Sequence, residues 1–122
     1  MNIGFTGHRD KIANEESLLR IEDRYPGATW IHGGAEGFDT QVHQVALKLG
    51  KVQGETLLVI RPDYRRHGPK IAPLKRNKQI VYMSEVMYVC WDGRKSGGTY
   101  QARNFAIEQS VPVQYLTPKE TK

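Results

Sequence analysis

Five short apolar runs, at residues 3–6, 28–32, 56–60, 86–91 and 111–116, recur along the 122-residue chain. Their apolar and β-branched residues are nearly continuous, whereas a sheet with one wet face needs strict alternation. They are therefore predicted to be parallel strands buried on both faces. Parallel strands need long crossovers, and the intervening segments carry helical spacing. The clearest sets Phe38, Val42, Val45, Ala46 and Leu49 on one face and stops at Gly50, a plausible C-terminal cap. A second holds Ala102, Phe105, Ala106 and Gln109 in register, and weaker patterns run through Leu18, Leu19 and Glu22 and through Leu74, Lys78 and Val81. Right-handed crossovers turn this alternation into an α/β fold, a three-layer Rossmann-like sandwich on a five-stranded parallel sheet of expected order 3-2-1-4-5.

A chain of this length supports one core, so residues 1–117 are expected to form a single domain with 118–122 as a short frayed tail. No run approaches the roughly 20 apolar residues of a membrane span. The N-terminus has no basic region followed by an apolar one, so a soluble, cytoplasmic protein is expected. Cys90, the single cysteine, lies in an apolar run where burial is expected.

The net charge of +5 is local. Arg61, Arg65, Arg66, Lys70, Lys75, Arg76 and Lys78 face only one acid, Asp63, in the same stretch, a balance of +6 that leaves −1 for the rest. Such a segment suits a phosphorylated ligand or a short nucleic-acid strand, and a solvated basic loop has the same composition. The Pro, Gly and Arg content of residues 61–73 predicts a long functional loop.

In an open parallel sheet the ligand crevice lies beyond the carboxyl ends of the strands where strand order reverses, here between the first and fourth runs. Glycine-rich turns fall at those ends: Thr6-Gly7-His8-Arg9, Gly33-Gly34-Ala35-Glu36-Gly37-Phe38-Asp39 and Ser96-Gly97-Gly98-Thr99. Glycine lets backbone amides approach a ligand, and helix N-termini carry partial positive charge, so phosphate oxygens are the natural guests. Any one turn alone reads equally as a tight structural turn. His8, beside Arg9, is placed as a donor to a ligand, and Ser96 as a helix N-cap. Asp39, in a first helical turn, is placed to accept from a sugar hydroxyl. Trp91 is the candidate for stacking on a base, with Tyr64 closing over the ligand, while Trp30 and His32 belong to the core. Asp39 and His43, four residues apart, raise a metal site, but no metal and no cofactor is expected. The chain has no G-x-G-x-x-G after the first run, no G-x-x-x-x-G-K-[ST] and no G-x-S-x-G, which disfavours dinucleotide oxidoreductases, P-loop NTPases and serine hydrolases.

These turns, together with Tyr64-Arg65-Arg66-His67-Gly68-Pro69-Lys70 and Arg76-Asn77, cover most of residues 3–116. In this order they resemble the SLOG superfamily of Rossmann-like domains, which includes the nucleotide-binding domain of the DNA-processing protein A and the cytokinin-activating, LOG-type phosphoribohydrolases. The resemblance is closest to its small stand-alone branch. It implies a phosphate crevice lined by Gly7, Arg9, Gly33, Gly34, Gly98 and Thr99, with Arg76 and Asn77 entering from the helix before the fourth strand. The fork of Arg76 suits phosphate, and Asn77 offers both a donor and an acceptor. The phosphoribohydrolases carry P-G-G-x-G-T-x-x-E, whose glutamate serves N-glycosidic cleavage. Here Ala102 stands three residues after Thr99 and no proline precedes Gly97. Alanine transfers no proton, so the first expectation is a domain that binds or senses a nucleotide or nucleotide-derived ligand. The alternatives are an N-glycosidic or phosphoribosyl-bond hydrolase using Asp39 or Glu36, and a single-stranded nucleic-acid binder tracking the backbone with Arg65, Arg66, Lys70, Lys75 and Lys78. Relatives often pair, so a homodimer is a further expectation.

Overall fold

In the computed structural model, which describes residues 1–120, the first apolar run becomes the central strand β1 (Asn2–Gly7). A short strand β2 (Lys11–Ile12) follows it. β1 pairs in parallel with β3 (Thr29–His32) on one side and with β5 (Val86–Cys90) on the other. β4 (Leu57–Val59) and β6 (Val113–Leu116) close the two edges, also in parallel. The sheet order is β4-β3-β1-β5-β6. The expected order 3-2-1-4-5 counted five strands only, and β2 shifts the numbering. β2 pairs in antiparallel fashion with β7 (Lys119–Glu120), with Lys11 Nζ 2.6 Å from Glu120 Oε1. This corrects the expected tail: residues 119 and 120 are paired, and 121 and 122 lie outside the described residues. Two-residue strands are too short to show periodicity in a sequence.

Four helices connect the strands: α1 (Glu15–Arg24), α2 (Phe38–Lys48), α3 (Tyr64–Met83) and α4 (Gly97–Glu108). Asn14 caps α1, its side chain accepting from the Glu16 N–H at 3.0 Å, and Glu15 and Glu16 favour the positive helix end. α2 stops where its spacing predicts, with Gly50 at φ +84° beyond Leu49. The main correction is α3. Residues 61–73 were expected as a loop, yet the chain is helical from Tyr64, capped by Asp63, and breaks only at Gly68, φ +77°. Pro69 then opens a second helical stretch, where its missing N–H forfeits no helical bond. Glycine and proline mark a kink here, not a loop.

Alternate strand residues divide between two apolar clusters, as a pleat requires. Val86, Tyr88 and Cys90 of β5 join Ile3, Phe5 and Trp30, covered by Leu18 and Ile21 of α1 and Phe38, Val42, Val45 and Ala46 of α2. Met87 and Val89 join Ile31, covered by Ile80 and Val81 of α3 and Ala106 of α4. Burial pushes the Cys90 thiol up to about 12, which suppresses the thiolate. No helix among the described residues is long and apolar enough to cross a membrane.

Gly7 sits where β1 meets α2, and a Cβ there would lie 2.5 Å from the Phe38 ring. Gly7→Ala is therefore expected to destabilise the fold by about 1–3 kcal/mol through overpacking. Urea denaturation measures this; an unchanged midpoint would show that Phe38 moves aside freely.

Candidate functional site

Because all five strands run parallel, their carboxyl ends share one edge. The chain leaves β1 for β3 on one side and later crosses to β5 on the other, so strand order reverses between β1 and β5. A cavity of about 410 Å³ is lined by the residues that follow these strands, within the usual range for small-molecule sites of roughly 300–1,000 Å³. Thr6, Gly7, His8 and Arg9 line it from the end of β1, and Gly33 and Asp39 from the turn into α2. Arg76 and Asn77 enter from α3, and Ser96, Gly97, Gly98 and Thr99 from the start of α4.

Asp39 is buried, at 6% exposure. Its Oδ2 accepts from the N–H groups of Gly33 at 3.2 Å and Ala35 at 3.1 Å, while Oδ1 has no partner. Burial pushes this carboxyl up to about 6, opposed in part by the Ala35 hydrogen bond and the Arg76 charge. Arg76 donates from Nη1 to the Gly33 carbonyl and from Nε to Asn77 Oδ1 at 2.8 Å. Asn77 Nδ2 in turn donates to the Gly98 carbonyl at 3.4 Å. The pair thus ties the second glycine turn to the third. A Cβ at Gly33 would collide with the Arg76 guanidinium, so this glycine admits a side chain of the protein itself.

His8 is buried, and its Nε2 accepts from the Asp92 N–H at 3.3 Å, with Asp92 Oδ1 3.1 Å away. Burial and the Arg94 charge lower its pKa and favour the neutral ring. With Nε2 engaged, any donation to a ligand falls to Nδ1. Ser96 caps α4 by position, but its side chain makes no cap bond and the first turn carries no acid. The first-turn amides therefore receive no side-chain acceptor from Ser96.

Gly34, Glu36, Tyr64 and Trp91 fall outside the lining, as do Arg65, Arg66, Lys70, Lys75 and Lys78 of the basic segment. Gly34 donates its N–H to His32 Nδ1 at 2.9 Å, Glu36 is exposed, and Tyr64 is 49% exposed at the start of α3. Trp91 follows Met87 and Val89 onto the α4 side of the sheet. There the Arg103 guanidinium lies 4.7 Å from its ring centroid, Tyr100 stacks at 5.9 Å, and Nε1 donates to the Arg94 carbonyl at 2.8 Å. Its expected place as a base-stacking wall of this cavity is corrected: the ring is packed among Arg103, Tyr100 and Tyr115, outside the lining. His32 is a core histidine with partners, its Nε2 2.9 Å from His43 Nδ1. Burial lowers its pKa to about 4. Asp39 and His43 thus turn to different partners.

Sequence reasoning missed Asp10, Ala35, Pro73 and Arg94, all in the lining. Arg94 forks onto Asp92, with Nη2 2.5 Å from Oδ2, and reaches Asp10 Oδ1 at 3.4 Å. These bonds hold the Asp92 carboxyl well below the usual carboxylate range. Asp92 Oδ1 also accepts from the Arg94 N–H at 3.0 Å, an Asx turn whose signal is the Asp-Gly-Arg order itself. Among the described residues Arg9 and Arg76 form no ion pair, and the nearby carboxyl of Asp39 offsets their charge only in part.

Comparison with protein-family models, curated proteins and solved structures returns no match.

Proposed function

We propose that the chain is a SLOG-like nucleotide-binding domain, a three-layer sandwich whose two apolar clusters are the two faces of its sheet. The cavity beyond β1 and β5 then takes a nucleotide or nucleotide-derived ligand. The observation that carries this reading is that Arg9 and Arg76, neither in an ion pair among the described residues, share one cavity with the first turn of α4. A phosphate satisfies both at once. The unpartnered Oδ1 of Asp39 in the same wall suits a sugar hydroxyl.

Thermal unfolding in the presence of nucleoside mono- and diphosphates and of inorganic phosphate tests the reading. A ligand at about one hundred times its Kd should add roughly 2.7 kcal/mol of stability. No shift with any of them would sink it.

N-glycosidic hydrolysis stands second because the cavity holds one carboxyl that titrates near neutrality, Asp39, as proton transfer requires. Glu36 is the weaker candidate, being exposed and outside the lining. Chromatography after incubation with bound monophosphates separates the two: a released base favours the hydrolase, intact nucleotide the binding domain.

A further inference from the structure

Arg76 also borders a second, smaller cavity of about 190 Å³, which Arg61, Asp63, Arg66, His67 and Lys75 help to line. By liquid volume it has room for about six waters. That is enough for one phosphate group and falls below the roughly 300 Å³ of pockets that enclose a whole drug-sized ligand. Four cations therefore face a space suited to a single ionic group.

The two cavities share Arg76 in their walls. A Cβ at Gly34 would lie 2.8 Å from Arg61 Nη1, and one at Gly33 would collide with Arg76 Nη1. Arg76 feels the charge of Asp39, in the wall of the larger cavity, without forming an ion pair with it among the described residues. Asp63 Oδ1 caps α3 by accepting from the Arg66 N–H at 3.1 Å. Among the described residues Arg61, Arg66, Lys75 and Arg76 form no ion pair. Like charges around one concavity raise the energy of the empty site, and a bound anion relieves it.

We propose that this smaller cavity is a second phosphate subsite, so that the ligand carries two phosphate groups, one on each side of Arg76. The inference rests on reading the larger cavity as a nucleotide site. The second phosphate reaches the subsite either through a pyrophosphate link or from another position on the ribose.

Calorimetric titration at fixed ionic strength tests it. AMP, GMP, CMP and UMP are compared with their 5′-diphosphates and 3′,5′-bisphosphates, on the native chain and on the doubly substituted Arg66→Ala, Lys75→Ala variant. Both residues are exposed, and a melting curve verifies the variant's fold. For the base that binds, one of the two doubly phosphorylated forms should bind about tenfold or more tightly than the monophosphate. The form that gains identifies the link. In the variant that gain should vanish while monophosphate affinity stays within about twofold.

No gain from either form, or a gain that survives the double substitution, overturns the second subsite and leaves the nucleotide site standing. Failure of every nucleotide to bind removes both. Affinity that climbs steadily over 5′-phosphorylated oligonucleotides of two, four and eight residues, and falls in the variant, replaces the subsite with strand binding.

Discussion

Arg76→Ala should weaken nucleotide binding about a hundredfold and leave the free protein as stable as before or slightly more so. Arg76 is a half-buried cation with no carboxylate within 4 Å among the described residues, and burial lowers its pKa. Truncation removes that desolvation cost, and the Gly33 carbonyl and Asn77 Oδ1 that it served can turn to water in an open cavity. A bound phosphate has no such substitute. Losing a charge-assisted fork costs about 3 kcal/mol, or roughly a hundredfold in affinity. Arg76→Lys keeps the charge but lacks the planar fork that serves Gly33, Asn77 and a phosphate together, so an intermediate loss of about tenfold is expected. Titration calorimetry and urea denaturation on both variants separate the effects. Undiminished affinity in Arg76→Ala would mean that the phosphate binds elsewhere.

The strands and α2 were legible because burial on both faces leaves long apolar runs, and a one-sided helix leaves a 3.6-residue stripe. Their carboxyl ends carry the glycine turns, so the cavity's position followed from topology alone. The role of those glycines was less legible. Gly7 makes way for Phe38 and Gly33 for Arg76, contacts across 31 and 43 residues of sequence that no local pattern encodes. Trp91 was misplaced because its packing against Tyr100, Arg103 and Tyr115 joins residues 9 to 24 positions further along the chain, which no local pattern encodes. The helical character of residues 64–70 was hidden by Gly68 and Pro69, which signal a loop and a kink in the same letters. Arg94 was overlooked because the glycines around it drew the phosphate argument to themselves.

Asp39→Asn should make the protein more stable at pH 8 and leave its stability at pH 4 almost unchanged. An unfolded aspartate titrates near 3.9, whereas Asp39 in the fold is pushed up to about 6 by burial. Below pH 4 both states hold the proton and nothing is lost. Between about 4 and 6 the unfolded chain ionises while the fold keeps its proton, so stability falls as pH rises. Above 6 the loss is complete, at about 2–3 kcal/mol for a shift of this size. Asparagine presents one oxygen to the N–H groups of Gly33 and Ala35 and a neutral amide in place of the unpartnered Oδ1. It therefore escapes the penalty at high pH. Urea denaturation of both proteins at pH 4 and pH 8 reads the difference directly, and a gain equal at the two values would rule out this titration as its source. A carboxyl that weakens the fold in this way fits the ligand role proposed for Asp39. The same substitution should accordingly weaken a ribose-bearing ligand about tenfold while sparing inorganic phosphate. If the site cleaves its ligand, turnover should disappear altogether and part of the binding survive, so one variant distinguishes a hydroxyl acceptor from a proton-transfer group.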